Sequence, residues 1–296
     1  MKLVLVDGSK SISKLLAGML EKVGHSVETF TDGALALDYM MTQSFDVLVT
    51  ALEICNVSGF DLCGYVRALN DQGFPTYAIA MSSIQDPRRI IEALDRGADD
   101  FTEKTPRIEE LVARLRVAER FLKAQHNLIR LATIDPLSGL YNRRAFFEEA
   151  SRAAFVGYAA SEPCAFVMLD IDHFKRINDA FGHDAGDDVI KGVAHILRQH
   201  HAKAGRIGGE EFALFLSDCD AGAACALAER LRSVIAATPV AIEARTVSIT
   251  ASLGVAASYG PPNPFDLYKQ ADEALYVSKS DGRNRVSLYE PKALSA

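Results

Sequence analysis

The chain has few cysteines, no surplus of basic residues and no long apolar run, and each shortage removes a class of function. Its five cysteines (Cys55, Cys63, Cys164, Cys219, Cys225) form no C-x-x-C pair and have no histidine at zinc-ligand spacing. An odd, scattered set of thiols fits a reducing compartment better than a disulfide framework. The 32 Lys and Arg against 39 Asp and Glu leave a formal charge of −7. That excludes a sequence-independent grip on nucleic acid, which needs a basic face. No apolar run approaches the ~18 residues that span a bilayer, and the first seven residues, MKLVLVD, meet a charge too soon for a signal peptide. The expectation is a cytoplasmic protein with neither a membrane nor a nucleic-acid partner. There is no internal repeat and no low-complexity segment. A G-x-x-x-x-G-K-[ST] loop is also absent, so any nucleotide must be held by another frame.

What is present is ordinary globular material, with 49% apolar and 24% charged residues in 296 positions, enough for two domains with separate cores. The first ~105 residues alternate short apolar runs with helical stretches, a βαβ rhythm that predicts a parallel sheet covered by helices. Strands are expected at 3–6, 27–29, 47–50 and 77–81, with helices at 11–23 and 87–96, each closed by a glycine. From Pro106 the pattern changes. Ile108, Leu115, Leu122 and Ile129 recur every seven residues, with Leu111, Ala118, Gln125 and Ala132 offset by three. This is the a/d seam that joins two helices; its rival is a last domain helix packed on its own domain and running on into a linker. Pro136 ends it.

Beyond it a second domain is expected, with a strand at 164–169 ending in Asp170 and helices at 174–181, 187–200, 221–237 and 264–280. A hairpin at 206–216 turns at Gly208-Gly209, where a glycine pair supplies the positive φ of a tight turn, and a further strand lies at 247–256. The chemistry gathers at Gly208-Gly209-Glu210-Glu211-Phe212. Two glycines admit a bulky anionic ligand to the backbone, with two carboxylates beside them. Asp170-Ile171-Asp172 ends the buried strand and brings carboxylates to the rim of the sheet. Two such clusters joined across neighbouring strands make a natural Mg²⁺ site, because Mg²⁺ takes few carboxylates together with phosphate oxygens.

These residues resemble the GGDEF domains. Residues 135–144 (DPLSGLYNRR) resemble the family's D-x-L-T-G-L-x-N-R-R opening. Asp170–Asp179 with Phe181–Asp184, Gly186 and Asp187 match its substrate segment, and Gly208–Phe212 is the GGEEF form of its naming motif. Ser252–Ala256 and the stretch from Ala271-Asp272 to Lys279–Arg285 match its last blocks. Five blocks in order span about 135–287. The resemblance implies an α/β domain of the nucleotide-cyclase palm type, at 135–296. Each of two facing monomers would hold one GTP, and the pair would make cyclic di-GMP with release of two pyrophosphates. Carried over by position, Asp170, the Ile171 carbonyl and Glu210 would bind Mg²⁺ or Mn²⁺. Asn178 and Asp187 would meet the guanine edge, with Phe174 and His183 close to the nucleotide. Lys175 would steady the transition-state charge, and Lys279 and Arg283, read as one helical turn apart on one face, would hold the triphosphate.

The roles are chemically sensible. Guanine offers an N1–H and an amino group, for which a carboxylate and an amide oxygen are acceptors. Glu210 or Glu211 is the base, and the sequence does not separate them. Glu211 could also be a solvated hairpin carboxylate and Lys279 with Arg283 a surface basic pair, while Asp172 and Asp179 read as structural or surface groups. The family's inhibitory R-x-x-D site would begin nine residues before the glycine pair. Residues 199–202 are Gln-His-His-Ala, so product inhibition there should be weak or absent.

Residues 1–120 resemble response-regulator receivers, which implies a flavodoxin-like (βα)5 fold. Leu3–Ser9 fits the first strand and acidic loop, Ser82 the hydroxyl position, and Lys104 the phosphate-binding lysine. Two positions fail. The acidic pair reads Asp7-Gly8, and the phosphoacceptor position holds Ala51, whose methyl group cannot accept phosphate; Glu53 is two residues off. The expectation is a degenerate receiver acting in dimerisation or in binding a regulatory protein, followed by a connecting, dimerising helix at 107–134. The alternative to an active homodimeric cyclase is a catalytically silent module that senses GTP or a cyclic dinucleotide. A transcription factor is excluded for want of a basic DNA-reading helix.

Overall fold

The computed structural model describes residues 1–83, 87–159, 162–199, 203–242, 245–259 and 263–290. The chain divides into two compact units, Met1–Ile129 and Arg130–Ala296. Among the described residues no helix is long and apolar enough to cross a membrane.

In the first unit the βα rhythm becomes β1 (Lys2–Val6), α1 (Lys10–Lys22), β2 (Ser26–Phe30), α2 (Gly33–Thr42), β3 (Val47–Ala51), α3 (Gly59–Asp71), β4 (Tyr77–Ser82), α4 (Pro87–Asp95), β5 (Asp100–Glu103) and α5 (Ile108–Thr133). The strands pair in the order β2-β1-β3-β4-β5, all parallel. Strands covered on both faces read as continuous apolar runs, and β3 and β4 are buried at every residue. Ser9, Asp32 and Ser58 start α1, α2 and α3 by accepting backbone N–H groups that the helix cannot itself satisfy. The reversal of strand order beside β1 opens a crevice at the carboxyl edge, where such sheets hold ligands.

α5 departs from expectation over its first half. Leu111, Leu115, Ala118 and Leu122, all assigned to a seam between two copies, are buried against Leu3, Leu5, Leu16, Leu20 and Ile79 of their own unit. A helix laid on a sheet and a helix laid on a second helix share the same three-and-four spacing over a few turns, so the sequence leaves them indistinguishable.

The second unit contains β6 (Tyr141–Asn142), α6 (Arg143–Ala159), β7 (Cys164–Ile171), α7 (Phe174–Phe181), α8 (His183–Arg198), β8 (Lys203–Gly208), β9 (Glu211–Ser217), α9 (Ala221–Ala237), β10 (Val240–Ile242), β11 (Arg245–Val247), β12 (Ala251–Ser258), α10 (Pro264–Ser280) and β13 (Val286–Leu288). Its main sheet runs β13-β12-β7-β9-β8-β6, antiparallel at the centre and parallel at both margins. β7 is the buried axis, with all eight residues buried. One face of the sheet packs under α8 and α9, and the other, rich in phenylalanine, under α6 and α10. α10 lies directly on β12: a Cβ at Gly254 would stand 2.1 Å from the Ala271 carbonyl oxygen and 2.2 Å from the Leu275 nitrogen. That close approach fixes where the end of α10, and hence Lys279, meets the sheet. α8 begins at His183, four residues before the expected start, so Asp187 lies within the helix rather than at its head. The strand expected at 247–256 is two strands, with Val247 closing β11 and β12 beginning at Ala251.

Candidate active site

The site grows from one end of the central hairpin. Asp170 of β7 is the register partner of Glu211 at the start of β9, and the Ile171 N–H donates to the Glu210 carbonyl oxygen at 3.4 Å. Gly208 pairs with Glu211, which leaves Gly209 and Glu210 as a two-residue turn. Of the two glycines only Gly209 takes positive φ, at 47°. Arg206 pins the turn: its Nε donates to the Gly209 carbonyl oxygen at 2.8 Å and its Nη1 to Asp135 at 3.2 Å. Carboxylates some forty residues apart in sequence therefore share one rim of the sheet.

Asp170 is buried, and its carboxyl is pushed up to about 6. Burial is the main cause. Lys279, whose Nζ stands 2.7 Å from Asp170 Oδ2, pulls it back, while the charges of Glu210 and Glu211 push it further up. A buried carboxylate facing two others is short of positive charge. Carboxylate and carbonyl oxygens without thiol or imidazole suit a hard dication such as Mg²⁺ or Mn²⁺. Among the described residues no group of three or more His, Cys, Asp or Glu side chains is assembled to hold a metal. Asp170, Glu210 and the Ile171 carbonyl could thus supply part of a coordination shell, with phosphate oxygens completing it.

Lys279 and Arg283 do not share a helical face. α10 ends at Ser280, and Arg283 follows in a left-handed turn with φ 65°. Asp281, Gly282 and Arg283 cannot continue the helix because Gly282 and Arg283 both take positive φ. Asp172, one residue past β7, anchors this turn. It accepts from Thr250 Oγ1 at 2.7 Å, Ser252 Oγ at 2.6 Å and the Asn284 N–H at 3.0 Å. Arg232 Nη1 adds a bond to Asn284 Oδ1 at 2.7 Å. Asp172 is accordingly a buried structural group, as its sequence reading has it. Thr250, Ser252 and Arg232 are supports that sequence reasoning missed, and only the presence of Ser252 in a matched block could have pointed to one of them.

His173, at φ 58°, turns the chain from β7 into α7. α7 and α8 meet at Gly182 and close on one another at Gly186, where a Cβ would stand 2.0 Å from Asn178 Oδ1 and 3.0 Å from the Phe174 ring. Phe174, Asn178 and Asp187 are half-buried about this junction, while Lys175 and His183 are exposed. Asn178 Oδ1 is buried with no hydrogen-bond partner among the described residues. Such an acceptor costs folding free energy until a donor reaches it, which is what a ligand carrying N–H groups offers. Of the stretch read in place of R-x-x-D, residues 200–202 lie outside the described residues.

In the first unit Ala51 ends β3, buried, at the position expected of a phosphoacceptor. Asp7 is fully buried. Its Oδ1 accepts the Ser9 N–H at 2.7 Å and lies 3.5 Å from Lys104 Nζ, while Oδ2 has no partner among the described residues. Glu53 is paired with Arg89 of α4.

Known proteins match both units. Residues 132–285 fit the family model described as diguanylate cyclase, GGDEF domain, and residues 3–116 that of the response regulator receiver domain. The diguanylate cyclase DgcP of Pseudomonas aeruginosa is 38% identical over 198 residues, 64% of this chain and 30% of that protein. The response regulator PleD of Caulobacter vibrioides is 33% identical over 221 residues, 70% of this chain and 49% of that protein. The chain thus spans less than half the length of these curated relatives. Among solved structures, the coiled coil and GGDEF domain of DgcB from Caulobacter crescentus in complex with c-di-GMP matches with TM-score 0.56 at 32% identity, covering 61% of this chain and 97% of that one. The match to more than half of the sequence by one family model, in a fold that the solved domain shares, places the chain in the GGDEF diguanylate cyclase family, with a response-regulator receiver domain ahead of its catalytic domain.

Proposed function

We propose that this protein is a cytoplasmic, homodimeric diguanylate cyclase that joins two GTP into cyclic di-GMP. The observation that carries the reading is the register of Asp170 against Glu211, with Glu210 on the adjoining turn. Each copy holds one GTP, so a second copy must bring the other. The guanine N1–H and amino groups are taken by the unpartnered Asn178 Oδ1 and by the Asp187 carboxylate. Adenine, with an acceptor at N1, would face that carboxylate unfavourably. Phe174 flanks the base and His183 lies by the nucleotide. Asp170, Glu210 and the Ile171 carbonyl would hold a divalent ion, Mg²⁺ or Mn²⁺, which when bound would supply positive charge at the triphosphate and at the attacking hydroxyl.

Glu210 or Glu211 accepts the proton of the 3′-hydroxyl of one GTP. That oxygen bonds to the α-phosphorus of the other GTP, and the bond to the departing pyrophosphate breaks. The same exchange in the opposite sense closes the ring, giving two pyrophosphates and releasing two protons. Lys279, freed from Asp170, and Arg283 steady the triphosphate, and Lys175 offsets charge on the transferring group. The receiver domain, with Ala51 in place of an acceptor, works through dimerisation or a regulatory protein rather than through phosphate. A regulatory protein has support in one similar structure: SiaD of Pseudomonas aeruginosa, at TM-score 0.51 and 30% identity, is described in complex with its activator SiaC. Product inhibition through the 199–202 stretch is weak or absent.

The test is to incubate the purified chain with GTP and Mg²⁺ and identify products by mass spectrometry, with Glu210→Ala alongside. Cyclic di-GMP from the wild type and none from the variant is the expected result. GTP binding with no product would instead identify a silent nucleotide-sensing module.

A further inference from the structure

Arg283 is placed by its neighbours. Its guanidinium is exposed and makes no hydrogen bond or ion pair among the described residues. Its backbone, by contrast, is closely prescribed. Gly282, Arg283 and Asn284 take φ of 112°, 65° and 47° in succession. For Arg283 this left-handed course is sterically unfavourable, and it persists only where the surroundings impose it. The Arg283 N–H donates to the Ser278 carbonyl oxygen at 3.0 Å, the Asn284 N–H donates to Asp172 at 3.0 Å, and the Arg285 carbonyl oxygen accepts from the Leu253 N–H at 2.9 Å. One further hold comes from α9. Nε and Nη2 of Arg232 donate to the Glu229 carboxylate, one turn earlier on that helix, at 2.6–3.0 Å. That grip leaves Nη1 to meet Asn284 Oδ1 at 2.7 Å. A planar guanidinium with donors in fixed directions can hold both partners at once, whereas a lysine ammonium has no second edge to offer.

We infer that Arg232 is a positioning residue for nucleotide binding: through Asn284 it holds the 282–284 turn in the left-handed course that presents Arg283 to the triphosphate. This role rests on the reading of Arg283 as a ligand of the triphosphate. Glu229 acts one step further back, by orienting Arg232. An arginine whose backbone is already set loses less freedom when the ligand arrives, so the tie strengthens binding without touching the nucleotide. The rival is a purely structural tie between α9 and the end of α10. The two differ in what they serve. A structural tie supports every part of the nucleotide site alike. A residue that positions Arg283 supports only the hold on the outer phosphates.

The test is equilibrium binding of two probes to the full chain in Mg²⁺: a non-hydrolysable GTP analogue, and GMP, which lacks the two outer phosphates. Two variants cut the tie from opposite sides. Arg232→Met keeps the bulk of the largely buried stem, and Asn284→Gly removes the acceptor while tolerating positive φ. Each is expected to weaken binding of the GTP analogue about three- to tenfold, part of the worth of a charge-assisted contact, and to leave GMP within about twofold. In an Arg283→Ala background neither substitution should weaken the analogue further, because the side chain being positioned is gone. Equal losses for GMP and the analogue, no loss of the analogue in either variant, or full additivity with Arg283→Ala would each overturn the positioning role. A wild type that binds the analogue no more tightly than GMP would overturn it together with the triphosphate role of Arg283. Cyclic product, assayed separately on the wild type, bears on the cyclase reading alone. A chain that gives the expected binding pattern and makes no product keeps the positioning role and loses the cyclase.

Discussion

Replacing Asp170 by asparagine is expected to make the metal-free protein more stable while destroying its chemistry. The carboxyl is raised from 3.8 to about 6, chiefly by burial. About two pKa units at ~1.4 kcal/mol each is roughly 3 kcal/mol of folding free energy lost when the group ionises. The sign follows from proton counting. Between pH 3.8 and about 6 the folded state holds more protons than the unfolded chain, so stability falls as pH rises through that window and the full cost stands at pH 7–8. Asparagine never ionises and avoids the cost. Lys279 loses its partner, but its side chain is partly exposed and its ammonium group can be hydrated. A net gain of about 1–3 kcal/mol remains, or roughly 3–8 °C in the melting temperature of a domain of this size. The assay is thermal unfolding of both proteins in chelator at pH 4, 6 and 8, following the transition of the catalytic unit, since two units need not melt together. The variant should be the more stable at pH 8 and indistinguishable at pH 4. Mg²⁺ with a non-hydrolysable GTP analogue should raise the melting point of the wild type more than that of the variant. A variant less stable at pH 8, or a difference that ignores pH, would refute the reasoning.

Other consequences are as direct. Asp187→Ala should lower the preference for GTP over ATP about tenfold or more in kcat/KM, because a base-edge acceptor is lost; competition kinetics measures it. Ser252→Ala removes one of three donors to buried Asp172 and should cost about 1–3 kcal/mol of stability, read by urea unfolding. Incubation with a small-molecule phosphodonor should leave the mass of the intact chain unchanged, since Ala51 offers no acceptor; a phosphorylated species in the mass spectrum would contradict this.

Much of the catalytic domain was legible because its signals are local. α7, α9 and α10 fall where apolar periodicity puts them, α7 closed by Gly182, and a buried strand running into Asp170 announces itself by its unbroken apolar run. The pairing of Asp170 with Glu211 is a long-range fact that the motifs implied through family likeness alone. What the sequence hid depends on backbone turns and on competition between partners. Arg283 leaves the helix because two successive residues adopt positive φ, an event that spacing does not encode. Lys279 sits on Asp170 because that carboxylate is starved of positive charge. The first half of α5 follows the rival reading because one apolar stripe fits a sheet as well as a second helix, and only packing against β1 and β4 shows which one takes it.

The central claim is that carboxylates from the end of β7 and from the turn before β9 hold one dication against a bound triphosphate. Titrating Mn²⁺ into the full chain with a non-hydrolysable GTP analogue, and following free Mn²⁺ by electron paramagnetic resonance, tests it most directly. The account predicts nucleotide-dependent Mn²⁺ binding by the wild type that is weakened in both Asp170→Asn and Glu210→Ala. Undiminished binding in either variant would contradict it.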